Sequence, residues 1–221
     1  MAVVTVAAVA RKTDGIGLAT PRARQGITAA RRDVALVARV SDGHNARVGF
    51  LDDASSGRPA PTPFERVFSL RPNLFEDYRR FYALFWEKQL VDPVLLELCR
   101  LRIAALHGCE SELRVRYQPA LDAGLSEAKI AAIPDAGDSP LFSEAERACI
   151  ALAELFAIDP HAITDADAAR VVAALGDAGT VALVEALALF DGFTRFRLML
   201  GVEASPERVE APAPGGRAPI Y

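Results

Sequence analysis

Asp92-Pro93-Val94-Leu95-Leu96-Glu97-Leu98-Cys99-Arg100-Leu101-Arg102-Ile103-Ala104-Ala105-Leu106-His107-Gly108-Cys109-Glu110-Ser111-Glu112 is the run from which the architecture can be read. Asp92-Pro93 is a helix start, where proline costs nothing because its missing N–H would have no partner in the first turn. Leu95, Leu98, Leu101, Ile103 and Leu106 give the helix an apolar side. His107-Gly108 interrupts it. A further helix is expected to begin near Cys109 and to end before Gly124, a C-terminal stop, with Pro119 kinking or dividing it.

The flanks continue in the same helical grammar. Upstream, Thr62-Pro63-Phe64-Glu65 is a capping box with proline at the first helical position. Leu74, Phe75, Tyr78, Phe81, Tyr82 and Phe85 then recur at steps of three and four, which predicts a helix over 73–88 with one apolar stripe. Downstream, Ser126 opens a short helix closed by Pro134. Ser143-Glu144-Ala145-Glu146 is a second capping box, and Thr164 caps a helix to about Leu175. A last helix is expected from about Thr180 to Leu200, with Gly201 after it. No alternating strand pattern occurs in 62–203, so the expected fold is all-α, a helical bundle.

Residues 1–60 lack a clean period and are broken by Gly15, Gly17, Pro21, Gly26 and Ser55-Ser56-Gly57-Arg58-Pro59, with one short amphipathic helix possible over 28–40. Residues 1–47 hold 8 Lys+Arg against 3 Asp+Glu, a net +5, while the remainder holds 17 against 26, a net −9. That asymmetry divides the chain into a basic extension over 1–60, a helical domain over 61–204 and a Pro/Gly-rich tail over 205–221. The extension reads as a mobile segment, or a start assigned too far upstream, in preference to an Arg-rich targeting arm. The overall charge of −4 argues against a nucleic-acid partner. The apolar run 1–10 is too short to span a bilayer and has no charged region before it, so no membrane and a cytoplasmic location are expected. Cys99, Cys109 and Cys149 form no Cys-x-x-Cys and are expected to be reduced thiols. His44, His107 and His161 are scattered. Neither metal nor cofactor is signalled.

Chemistry is concentrated between Glu97 and Arg116. Cys109, Glu112 and Arg116, at steps of three and seven, are expected on one face of the helix after Gly108. A helix N-terminus would stabilise a Cys109 thiolate, while the Glu112 charge would oppose it.

The stretch Glu97-Leu98-Cys99-Arg100-Leu101-Arg102-Ile103-Ala104, followed by Gly108-Cys109, Glu112 and Arg116, resembles the carboxymuconolactone decarboxylase and alkylhydroperoxidase D superfamily. Residues 123–127, 139–147 and 190–201 resemble it as well, so that the likeness extends over about 62–203. The resemblance implies an alkylhydroperoxidase D-like helical fold assembling as a homo-oligomer, a trimer or hexamer. The peroxidase branch has two cysteines three apart, an upstream Glu and a His four residues after the second cysteine. Here Cys109 and Glu97 match, whereas Glu112 replaces the second cysteine and Arg116 the histidine. An intrahelical disulfide cycle is therefore impossible, and Glu112 looks more like the decarboxylase branch, whose substrate is a small carboxylated lactone.

Three functions follow as expectations. Glu97, Cys109 and Glu112 are the candidate catalytic residues, of which a lyase uses the two acids. Glu112 acts as acid or base, Glu97 orients the site, and Arg116 and His107 bind a small-molecule substrate, Arg116 through its carboxylate. The bland alternative is an i,i+4 ion pair between Glu112 and Arg116. In a thiol peroxidase, Cys109 reacts and Cys99, another subunit or an external thiol resolves it; against this, free cysteine is commonly a buried packing residue. In a non-catalytic family member, the chain binds a ligand or only assembles. An apolar pocket lined by the stripe from Phe75 to Phe85 is the expected substrate site.

Overall fold

The computed structural model describes residues 62–87, 90–202, 204–205 and 207–212. The basic extension over 1–60 and the end of the tail lie outside the described residues. Helices α1 (Pro63–Phe68), α2 (Pro72–Glu87) and α3 (Pro93–His107) come first. After them come the single turn α4 (Glu110–Leu113), strand β1 (Val115–Tyr117), and the short helices α5 (Gln118–Asp122) and α6 (Glu127–Ala131). Helices α7 (Glu144–Ile158) and α8 (Asp165–Met199) and strand β2 (Val209–Ala211) complete the order.

Helix α3 is the axis of the bundle. Asp92 caps it by accepting from the Val94 and Leu95 amides at 2.9 and 3.1 Å. Gly108 closes it at φ 65°, a left-handed conformation that glycine adopts without a Cβ clash. Every residue from Leu95 to Ala104 is buried, so no face of α3 meets water. That is unlike an ordinary amphipathic surface helix. Apolar side chains from α2 (Tyr82, Phe85, Trp86), α7 (Cys149, Leu152, Ala153) and α8 (Leu183, Leu187, Phe190) enclose it in the main core. A second core around Leu98, Leu101, Ile133, Phe142 and Ile150 fills its other side. Three capping boxes, at Thr62, Ser143 and Thr164, start α1, α7 and α8. The two C-terminal helices expected from sequence are arms of α8, which meet at Gly176 (φ 69°, ψ 175°). Among the described residues, α8 is the helix long and apolar enough to cross a bilayer.

Two expectations need correction. The helix after Gly108 does not run toward Gly124: it ends at Leu113, and Val115–Tyr117 is a strand. Pro119 consequently occupies the first turn of α5 and kinks nothing. Part of the segment read as a tail is also a strand, since β2 pairs in parallel with β1 in the register Val115↔Val209, Arg116↔Glu210, Tyr117↔Ala211. Alternation cannot reveal such strands. They are three residues long, and all of β1 is buried, so no polar face alternates with an apolar one.

Candidate functional site

The Arg100 side chain points into the protein from α3 and is almost wholly buried. Its five N–H groups meet five acceptors. Nε and one Nη2 proton form a fork on Glu97, at 2.8 Å to Oε2 and 2.7 Å to Oε1. The other Nη2 proton goes to the Val115 carbonyl at 2.8 Å. Nη1 donates to the Glu112 carbonyl at 2.9 Å and to its carboxylate Oε2 at 2.5 Å. The Glu97 carboxylate also accepts from the Tyr117 amide at 3.3 Å. A guanidinium can be buried at tolerable cost only when its donors and its charge are both answered, and here they are.

The second oxygen of Glu112 pairs with Nε of Arg197, near the end of α8. Arg197 is itself buried and lies over the Phe64 ring, 4.2 Å from its centroid, so α1 forms the floor beneath it. Arg100 makes a similar contact with Tyr117, at 4.9 Å. Two carboxylates and two guanidinium groups thus form one buried, charge-balanced cluster supplied by α3, α4 and α8. Burial pushes the Glu112 carboxyl up, but Arg197 and Arg100 pull it down further, leaving it below the ordinary carboxylate value. Burial and the Glu112 charge push the Tyr117 hydroxyl up to about 12. The nearby Tyr82 hydroxyl is raised for the same first reason. Both are therefore uncharged hydrogen-bond donors at neutral pH.

Cys109 is the residue before α4 and is fully buried, with its sulfur 3.3 Å from the Ser111 hydroxyl. Burial raises its thiol and the Glu112 carboxylate raises it further; Ser111 and Arg197 offset only part of this. The group is thus a protonated thiol at neutral pH, the reverse of an activated thiolate.

Glu97 and Glu112 therefore converge, with Cys109 close enough to feel the Glu112 charge. Arg116 pairs with a different carboxylate, but its Nη1 donates at 3.0 Å to the Val115 carbonyl that also accepts from Arg100. Because the chain leaves the helix at Leu113, its side chain projects from β1 instead of from a helix face, and it stays buried. It donates to the Leu113 carbonyl at 2.7 Å and pairs with Glu127 at 3.1 Å. The expected shared face of Cys109, Glu112 and Arg116 is absent for that reason, and so is the alternative Glu112–Arg116 ion pair. His107 ends α3 with its Nε2 2.6 Å from Asp191 of α8, an oxygen partner away from the charge cluster. The expected aromatic lining is packed into rings: Phe75 lies against Phe68 at 5.1 Å, and Tyr78 stacks on Phe193 at 3.9 Å.

Sequence reasoning gave no role to Arg100, Arg197 or Tyr117. For Arg100 there was a usable signal, an acid and an arginine at i,i+3 inside an otherwise apolar helix. Arg197 gave none, since its partner is 85 positions away in the chain.

Residues 72–155 match the sequence profile of the carboxymuconolactone decarboxylase family. That segment of the helical domain is similar to the carboxymuconolactone decarboxylase family. Glu97, Arg100, Cys109 and Glu112 of this carboxymuconolactone decarboxylase-like domain lie inside the matched segment, and Arg197 lies beyond it. The domain is similar to a crystal structure of a protein of unknown function from Agrobacterium tumefaciens, proposed there to be the antioxidant defence protein AhpD. The TM-score is 0.52 and the identity 18%, over 64% of this chain and 97% of the other. At that identity the likeness concerns the fold. A comparison with curated proteins found no match.

Proposed function

We propose that this protein is a lyase of the decarboxylase type acting on a small carboxylated lactone or related acid, with Glu112 as its acid–base group. The observation that carries the reading is the sharing of one buried carboxylate, Glu112, between Arg100 and Arg197. A substrate carboxylate docking on Arg197 takes over part of that pairing. Glu112 then loses a neighbouring positive charge while remaining buried, and its affinity for a proton rises. When the substrate loses CO2, the electron pair left on carbon is delocalised into the lactone carbonyl. Glu112, having taken a proton from solvent, delivers it to that carbon. Arg197 thus assumes the role first expected of Arg116, and Tyr82 and Tyr117 are neutral donors beside the developing anion. The thiol peroxidase reading is disfavoured by the protonated, enclosed Cys109. Cys99 and Cys149 are themselves buried core residues.

The same reading has the chain working as a homo-oligomer. Leu74 and Leu84 on α2 and Val181 and Val184 on α8 expose apolar surface that other copies would cover. A sedimenting monomer at micromolar concentration would remove that part of it.

The catalytic part is tested by following loss of lactone carboxylic acids spectroscopically. Wild type and Cys109→Ser should turn over, whereas Glu112→Gln should lose more than about 100-fold while keeping a cooperative melt. Inert wild type, or activity abolished by Cys109→Ser, would contradict it; inert wild type that stays oligomeric favours a non-catalytic ligand-binding member.

A further inference from the structure

Three contacts of the charge cluster end on β1. The Val115 carbonyl accepts from Arg100, the Tyr117 amide donates to Glu97, and the Tyr117 ring lies over the Arg100 guanidinium. A three-residue strand cannot hold its own backbone in place. Its partner is β2, which arrives from the far end of the described chain. The Val209 amide donates to the Arg114 carbonyl at 2.9 Å, and the ladder then runs through Tyr117↔Ala211. Ala211 is 1% exposed and belongs to the same core as Val115, Tyr117 and Trp86. Outside the ladder, Arg208 reaches Glu127 at 2.9 Å, on the carboxylate oxygen that also holds Arg116.

We infer that β2 is a positioning strap for the charge cluster: pairing with β1 fixes the Val115 carbonyl and the Tyr117 amide and ring where Arg100 and Glu97 need them. Val209 and Ala211 are positioning residues in this arrangement, because they touch the cluster only through β1. When the strap lifts, β1 loses its ladder, Arg100 loses a fixed backbone acceptor and Glu97 a fixed donor. The helices α3, α7 and α8 keep their own packing. The inference is independent of the lyase reading, since its readout is structural.

The test is hydrogen exchange by NMR on the full chain, following the Tyr117 amide and the Arg100 Nε–H. Val209→Pro removes the N–H that begins the ladder, and Val209→Ala keeps it. Val209→Pro should speed exchange at both sites by about tenfold or more, with α7 amides such as Ala153 unchanged. Val209→Ala should return both sites close to wild type. Arg208→Ala, an exposed change that leaves the core alone, should move the same two sites in the same direction by less, and it carries the test if the proline variant does not fold. Unchanged exchange at Tyr117 and Arg100 would overturn the inference. So would equal acceleration throughout α7, because β2 would then be an ordinary part of the global fold.

Discussion

A guanidinium with five protein acceptors is a demanding arrangement, and Arg100 meets it only because its side chain is planar and forked. Lysine would bring a point charge and three donors with no fixed plane. The fork on Glu97 and the simultaneous contacts to Glu112 and Val115 could not all be kept. Arg100→Lys should therefore destabilise the protein by about 3 kcal/mol, although it preserves charge. Chemical denaturation at neutral pH measures this, and a loss under about 1 kcal/mol would mean that the cluster behaves like an exposed ion pair. At this scale the sequence was legible in identity more than in partnership. Glu97, Cys109 and Glu112 could be singled out by spacing and resemblance, and the structure brings them together. The helical face expected to carry Arg116 beside Cys109 and Glu112 does not form, because the helix stops at Leu113. The rule of threes and fours holds only while the backbone stays helical.

Among the elements, long helices were readable and short ones were not. The capping boxes at Thr62, Ser143 and Thr164 mark their helix starts because a side-chain oxygen must satisfy an otherwise orphaned amide, a local requirement. The strands β1 and β2 depend on each other across the length of the domain, so neither segment alone carries the signal. The break in α8 is intermediate: glycine there was compatible with two helices, and the structure joins them through a backbone conformation reserved for glycine. At Gly176 a Cβ would meet nothing within 4 Å, yet φ is +69° with ψ 175°. Gly176→Ala should thus cost about 1–3 kcal/mol from backbone strain alone. Gly137→Ala, also in open space but without a positive φ, should be close to neutral. Thermal unfolding of the two variants side by side checks this, and equal melting temperatures would show that α8 straightens without cost.

For the molecule as a whole, a fully enclosed α3 is what converts a helical bundle into a scaffold for charge. With every side of the helix buried, Glu97 and Arg100 had to find partners inside, and they draw α4, β1 and α8 together around them. The pairing couples folding to pH. Glu112 has a folded-state value below its unfolded one of about 4.3. Its contribution to stability is fully present above that pH and is lost as the pH falls through the folded value, because the unfolded chain binds the proton first. Glu146 and Asp167, also lowered, add in the same direction. The most direct measurement is a carboxyl 13C NMR titration of Glu112 in the full-length protein. A midpoint below that of an ordinary glutamate, accompanied by acid loss of stability, is the result expected of a carboxylate held between Arg100 and Arg197. A midpoint at or above the ordinary value would place a protonated acid there and contradict the shared ion pair on which the proposed chemistry is built.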